Sequence, residues 1–439
     1  MSETFAIREA QARPNRAFSL DWLPVIARIA WRNLGRRRYR TLISIGSFAF
    51  AVLLVGAGIS LQVGAYSSMI KRGTELMSGH GQIQHPDWLD DAKLEYLIDD
   101  ASALAALARS HPGVTGVSVR AQASGLVANS GAPDKAGKAG LVMGIEPSSE
   151  PQVSAIPDRL IAGRYIESGD EAMIGVALAR NLNLEISDEI TVIGAAESGG
   201  IAAFVCEVVG IFDAGFPALN RTLVQVPIAL VSEAFDLQDR ASSVVMRVQD
   251  PMTSREVLAG LAFRIEKAGR MEGIAVRDWR EVNSELYSSI LLDAIGSVFM
   301  YAFIVLMVGF TILGSVLMVM FERRAEFGVL MALGMRVGML RRLISWEVLW
   351  LWLCGMLLGL AVVAAIIGWY GEVGIPMPTD EAMQDILDSV HMDARMYPEF
   401  SSLAFVWVPC LLLALAQLAA VLATRKLGRQ LPAEVLRSV

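Results

Sequence analysis

Four long apolar runs constrain this chain more than any other feature. Thr41 to Ile70 (30 residues), Ala294 to Phe321 (28), Val348 to Gly371 (24) and Phe400 to Thr424 (25) each contain no charged residue. A membrane-spanning helix needs roughly 20 apolar residues, so every run is long enough, and buried helices of soluble domains rarely run so far without a charge. The runs predict an α-helical membrane protein with four transmembrane helices, the first placed at residues 41–70, then 291–321, 345–371 and 400–424. The first two exceed what a bilayer requires. At ~1.5 Å per residue, Thr41 to Ile70 would reach roughly 45 Å as one helix. Because each borders a large polar segment, they are expected to project into water rather than only tilt.

Charge gives the expected orientation. Residues 1–40 hold nine Lys/Arg against three acids, residues 322–347 five against three, and residues 425–439 four against one. Residues 71–293 carry 19 basic and 31 acidic side chains, and residues 372–399 one and seven. Basic loops stay on the cytoplasmic side. Both termini and the 322–344 loop are therefore assigned to the cytoplasm, and the two acidic segments to the outside.

The basic leader is expected to be retained. The first apolar run begins after 40 residues, without the short apolar core and nearby small-residue cleavage site of a signal peptide. Phe18 to Arg40 reads as an amphipathic helix, with Trp22, Leu23, Ile26, Ile29, Ala30 and Leu34 on its apolar stripe. Trp31, Arg32, Arg36, Arg37, Arg38 and Arg40 suit the membrane interface, where a helix of this kind lies in the plane of the headgroups.

The outer segment, 71–290, is long enough for a large α/β domain. Two stretches share a strand–helix–strand pattern: His80 to Gln84, Ala101 to Ser110 and Val114 to Arg120 in one, then Ser242 to Gln249, Ser254 to Lys267 and Gly273 to Arg277 in the other. Such βαβ halves, at 71–125 and 240–285, resemble a split ferredoxin-like domain. Between them, 140–235 reads as a β-rich insert with strands at Leu141 to Ile145, Glu189 to Ile193, Phe204 to Phe212 and Thr222 to Val226, and a helix over Ala172 to Leu182. Residues 129–139 form a turn-rich loop. The 372–399 loop has one short acidic helix at Glu381 to Val390, and Pro409 is placed to kink the fourth span. Cys206 has no outer partner, because Cys354 and Cys410 lie in apolar runs, so no disulfide is expected.

Several chemistries are not supported. Gly131 to Ala139 departs from a phosphate-binding loop, which needs Gly-x-x-x-x-Gly-Lys-Ser/Thr: the gap is one residue too long and Ala139 replaces the hydroxyl. No nucleotide, metal or other cofactor is expected in this chain, and no bond chemistry; ATP and magnesium would be held by a partner. His80, His85, His111 and His391 show no ligand spacing and read as surface polar residues. Asp293 and Glu347 sit at the ends of spans, where they can reach headgroups or water. The methionines of the second span and the loop after it (Met300, Met307, Met318, Met320, Met331, Met335 and Met339) read as helix packing. Nothing suggests nucleic acid as a partner.

The loop between the second and third spans is more specific. It reads Glu322-Arg323-Arg324-Ala-Glu326-Phe-Gly328-x-x-x-Ala332-x-Gly334-x-Arg336. A basic flank explains the arginines but not the two acids. Four-residue spacing places Glu322 and Glu326 on one helical face. Small residues at 328, 332 and 334 would let another surface approach closely, as in a docked coupling helix.

This loop resembles the coupling loop of FtsX/MacB/LolC-type ABC permeases. So does the entry to the first span, Trp31-Arg32-Asn33-Leu34-x-Arg36-Arg37-x-x-Arg40-Thr41. Glu347, Val208 to Phe212 and the tail Leu431 to Arg437 are also similar. The resemblance implies a permease that works with a separate ABC ATPase dimer and pairs with a second permease copy or homologue. It implies mechanotransmission from the cytoplasmic loop to the outer domain. A fused ATPase, as in MacB, is not seen before the first span, which moves the resemblance toward lipoprotein-releasing permeases. The expected work is extraction of a lipoprotein or other lipid-linked cargo, with a periplasmic carrier as a further candidate partner. Regulation of a cell-wall hydrolase and peptide or drug efflux are the alternatives.

Overall fold

Membrane-spanning backbone must satisfy its polar groups internally, and the apolar runs do so as long helices. The computed structural model describes residues 24–36, 38–132, 136–196, 199–376 and 395–427. It divides into a membrane unit (Met1–Val63, Ser297–Val373, Pro398–Val439) and an α/β unit (Gly64–Gly296, Gly374–Tyr397).

Before the first span lies α1 (Val25–Leu34), followed by α2 (Arg38–Gly73). The single helix expected over Phe18 to Arg40 is therefore two. Gly35 caps α1 and the chain turns there, consistent with the low helix propensity of glycine. Phe18 to Leu23, and Arg37, lie outside the described residues. The buried face of α1 is Ala27 and Ala30, whereas Ile29 is exposed.

The α/β unit runs β1 (Gly81–Gln84), α3 (Ala101–Arg109), β2 (Val114–Asn129), β3 (Lys138–Ile145), β4 (Leu160–Gly163), β5 (Glu171–Gly175), α4 (Val176–Leu182), β6 (Glu189–Ala195), β7 (Ile201–Phe212), α5 (Pro217–Thr222), β8 (Leu223–Pro227), α6 (Ile228–Phe235), β9 (Ser243–Val248), α7 (Ser254–Lys267), β10 (Ala275–Asp278) and α8 (Trp279–Val282). Its first lobe has strand order β10-β1-β9-β2, with every neighbour antiparallel. Two βαβ halves in this order make a ferredoxin-like sheet. Ile83, Val117, Val244 and Met246 pack there against Leu104 of α3 and Leu258, Leu261 and Ile265 of α7.

The second lobe grows from the far half of β2. Its first residues pair with β9, and Gly125 to Asn129 pair with β6. The ladder then passes from β2 to β3, β8, β5 and β7, and β7 pairs with β6. The ring closes into a six-stranded barrel, which removes exposed sheet edges. Val127, Val142, Ile174, Val192 and Val224 belong to its core, with Phe235 of α6. The helix expected over Ala172 to Leu182 is a strand to Gly175 and a helix from Val176. A short apolar run cannot be assigned by period alone, and pairing of β5 with both β7 and β8 decides it.

The chain continues as α9 (Ser284–Glu322), α10 (Arg324–Ala332), α11 (Val337–Val373) and α12 (Val408–Leu427). With α2, the helices at Ser284–Glu322, Val337–Val373 and Leu403–Arg425 are long and apolar enough to cross a membrane. The third starts inside the expected 322–344 loop, because Val337 to Leu343 continue helically into the apolar run. Gly355 and Gly359 lie where α11 meets α2. A side chain at Gly355 would meet Phe48 and the Ile45 carbonyl, and one at Gly359 would lie 2.8 Å from the Ala49 carbonyl. Small residues four apart allow this close helix approach. The expected 381–390 helix and the 431–437 tail motif lie outside the described residues.

Candidate functional site

The backbone between α9 and α11 fixes the site. Helix α9 ends at Glu322, and Arg323 caps the next helix with φ −99° and ψ 15°. Helix α10 stops in a Schellman turn: Met335 N–H donates to Leu330 O (3.0 Å) and Gly334 N–H to Met331 O (3.0 Å). Gly334 has φ +94°, the left-handed geometry this stop requires and which glycine adopts without strain.

Arg323 organises the polar groups. Its Nη1 donates to both oxygens of Glu347 in α11, at 3.1 and 3.0 Å, and its Nε donates to Glu326 in α10 at 2.9 Å. The guanidinium also lies 5.0 Å from the ring centroid of fully buried Phe327, within cation–π range. From α1, Asn33 Nδ2 donates to Glu347 Oε1 at 2.7 Å. Arg40 at the start of α2 pairs with Glu322 at the end of α9, at 2.7 Å. Trp31 meets Trp350 edge-on at 4.9 Å, and Trp350 Nε1 donates to Ala27 O at 3.2 Å. Helices α1, α2, α9, α10 and α11 are thus cross-linked by charge-assisted hydrogen bonds, which are stronger than neutral ones.

Two expectations are corrected here. Glu322 and Glu326 do not share a helical face, since the helix breaks at Arg323 and each acid pairs with a different arginine. Glu347 is not a free group at the end of its span: it is 8% exposed and held by Arg323 and Asn33. The three small residues also differ in role. Gly328 is buried, Ala332 is exposed, and Gly334 is a helix stop. Arg324 is half-buried and Arg336 exposed. In and after α10, Val329, Leu333, Val337 and Met339 are exposed, and Val329 and Met339 line a cavity together with Glu326. Of the interface residues, Trp31, Arg32, Arg36 and Arg38 are exposed and Arg40 half-buried.

The α/β unit holds a second polar centre that sequence reasoning missed. Arg120 of β2 and Glu150 form a fully buried ion pair at 2.6 Å, with Ser118 Oγ donating to Glu150 at 2.8 Å. Arg120 also donates to the Met77 carbonyl, just beyond α2. His80, expected at the surface, is buried, its Nδ1 2.9 Å from the Val248 carbonyl. Alternation along Val114 to Arg120 signalled the strand, but nothing near Glu150 marked it as the arginine's partner. No group of three or more His, Cys, Asp or Glu is placed to hold a metal among the described residues.

The family described as MacB-like periplasmic core domain matches residues 41–262, half of the chain, and the FtsX-like permease C-terminal family matches residues 298–432. The chain belongs to the MacB/FtsX family of ABC-transporter permeases. It is similar to the lipoprotein-releasing system transmembrane protein LolC of Neisseria meningitidis serogroup B, at 23% identity over 96% of this chain and 99% of the relative. LolC of Xylella fastidiosa Temecula1 is also 23% identical, over 44% of this chain and 48% of its own length. Among solved structures, the periplasmic region of MacB from Actinobacillus actinomycetemcomitans covers 49% of this permease, and 95% of that region is covered, at 12% identity and TM-score 0.37. The extracellular domain of the transporter YknZ from Gram-positive bacteria covers 45%, with 98% of that domain covered, at 15% identity and TM-score 0.33.

Proposed function

We propose that this permease works with an ATPase on a separate polypeptide and extracts a lipoprotein or similar lipid-linked cargo from the outer leaflet of a bacterial inner membrane. The observation that carries this reading is similarity to LolC along 99% of that relative's length. The charge distribution supports termini and a 322–347 loop in the cytoplasm, with the α/β unit outside. The exposed apolar residues of α10 and its flank, with Glu326, offer a docking face for an ATPase. Force applied there reaches Glu347 and Asn33 through Arg323, and so reaches three helices together. A second permease copy or homologue completes the assembly.

The test is affinity purification in mild detergent, with mass spectrometry of proteins and lipids, followed by reconstitution with a membrane-bound lipoprotein. Recovery of an ATPase, and ATP-dependent loss of the lipoprotein from the vesicles, would support the reading. Normal ATP hydrolysis with the lipoprotein still in the membrane would overturn it. Recovery of a cell-wall hydrolase with no lipid-linked species would point to a regulatory role instead.

A further inference from the structure

Inside the membrane unit, a partly open cavity of about 900 Å³ is lined by residues of α1, α2, α9, α10 and α11. That volume lies at the upper end of small-ligand pockets. Its wall is divided chemically. Ile43, Phe48, Ile312 and Leu351 are among the residues that make the apolar part, while Asn33, Arg36 and Arg40 stand together on the α1–α2 turn. Arg323, Glu326 and Glu347 also border it, but they are bonded to one another. Arg40 is engaged by Glu322. Arg36, exposed where the apolar wall begins, makes no ion pair among the described residues.

A largely apolar cavity, with a guanidinium at its edge that is unpaired among the described residues, fits an amphiphile with an anionic head. The cavity lies among helices that span a membrane, and the turn that carries Arg36 belongs to the basic leader. We propose that this cavity binds one anionic phospholipid, with the phosphate on Arg36 and the acyl chains between α2 and α9. Arginine suits this role because its planar donors match phosphate oxygens. A lipid there would touch the helices that the Arg323 network ties together, so its occupancy would stiffen or loosen that junction. The proposal goes beyond the proposed cargo reading and does not depend on it, since the cargo is expected in the opposite leaflet.

The test is native mass spectrometry of the full chain, extracted in mild detergent and exchanged with phosphatidylglycerol or phosphatidylcholine of identical acyl chains. The wild type should retain one phosphatidylglycerol in preference to phosphatidylcholine. Arg36→Gln should weaken that retention roughly fivefold, the equivalent of the ~1 kcal/mol one basic residue contributes near an anionic surface. Arg32→Gln removes an exposed positive charge from the neighbouring α1 but does not line the cavity, and should retain the lipid. Ile312→Trp should exclude the lipid by filling the chamber, with the protein's thermal midpoint checked separately. Inorganic phosphate should not compete, because it lacks the chains. Equal loss in both arginine variants, equal retention of the two lipids, or competition by phosphate alone would overturn the proposal. So would efficient cross-linking between copies through cysteines placed at Ser44 and Ser315, since a second chain would then fill the cavity.

Discussion

Arg323 and Glu347, 24 residues apart, meet with one guanidinium nitrogen 3.1 and 3.0 Å from the two carboxylate oxygens. Both side chains are about nine-tenths buried, at 11% and 10% exposure. At that burial, loss of one partner is worse than loss of both, because the survivor keeps its desolvation cost.

Glu347→Gln should therefore destabilise the membrane unit by about 2 kcal/mol, within the range for an unsatisfied buried group. Glu326 remains as an alternative partner for Arg323 and limits the loss. Glu347→Gln paired with Arg323→Met should recover part of the stability without recovering function. Thermal unfolding in detergent gives the first quantity, and ATPase stimulation on reconstitution gives the second.

Gly355 gives a steric prediction. A Cβ there would press on Phe48 and lie 2.9 Å from the Ile45 carbonyl, so α11 and α2 must separate to accept any side chain. Gly355→Leu should abolish the close crossing and lower the yield of folded protein. Gly368→Leu, on the same helix with open space around its Cβ, should be tolerated. Size-exclusion profiles and thermal midpoints of the two variants make the comparison.

The buried pair in the α/β unit should be the costlier one to break. Arg120 and Glu150 are 1% and 0% exposed, and removing either should cost roughly 3–5 kcal/mol. Replacing both together, as Arg120→Met with Glu150→Leu, should recover much of that loss. A loss in the double variant equal to the sum of the two single losses, measured by thermal unfolding, would show that the pair acts as two independent groups.

The spans were legible because charge-free runs leave few alternatives to a membrane helix. The ferredoxin-like lobe was legible because its two halves repeat a pattern of alternating strand and periodic helix. The barrel was only partly legible. After Arg120, β2 continues through Ala-Gln-Ala-Ser-Gly, small residues with weak strand preference, and only pairing with β3 and β6 holds it extended. At the candidate site, residue types pointed to the loop but not to its internal geometry. Four-residue spacing between Glu322 and Glu326 presumed one helix, whereas the break at Arg323 turns the acids toward different partners. Glu347 belongs to this cluster through a contact across 24 residues, which spacing cannot reveal.

His80 predicts a pH response. Burial lowers its pKa below the ordinary 6.5, and the nearby Arg247 adds to the shift against weaker opposition from Glu75 and Asp250, while the Val248 backbone contact raises it. The folded state thus favours the neutral ring. Its contribution is fully present above pH 6.5 and is lost as pH falls from 6.5 through the lowered folded value. His80→Gln should flatten the decline in thermal midpoint between pH 7.5 and 5.5 relative to the wild type.

Glu326 separates docking from folding. Its carboxylate is half exposed, at 51%, and accepts from Arg323 Nε at 2.9 Å, so it is both open to a partner and tied to the Arg323 junction. Exposed pairs contribute only about 0–1 kcal/mol, so Glu326→Gln should leave stability nearly unchanged. Glu326→Lys places a second positive charge beside Arg323 and reverses the sign of the exposed face. Arg323 still has Glu347, so insertion and folding should persist, while stimulation of the ATPase is lost. A parallel Glu326→Gln preparation that keeps most of the stimulation would assign the loss to charge reversal at the docking face. Full stimulation in Glu326→Lys would remove α10 as the point where force enters the permease.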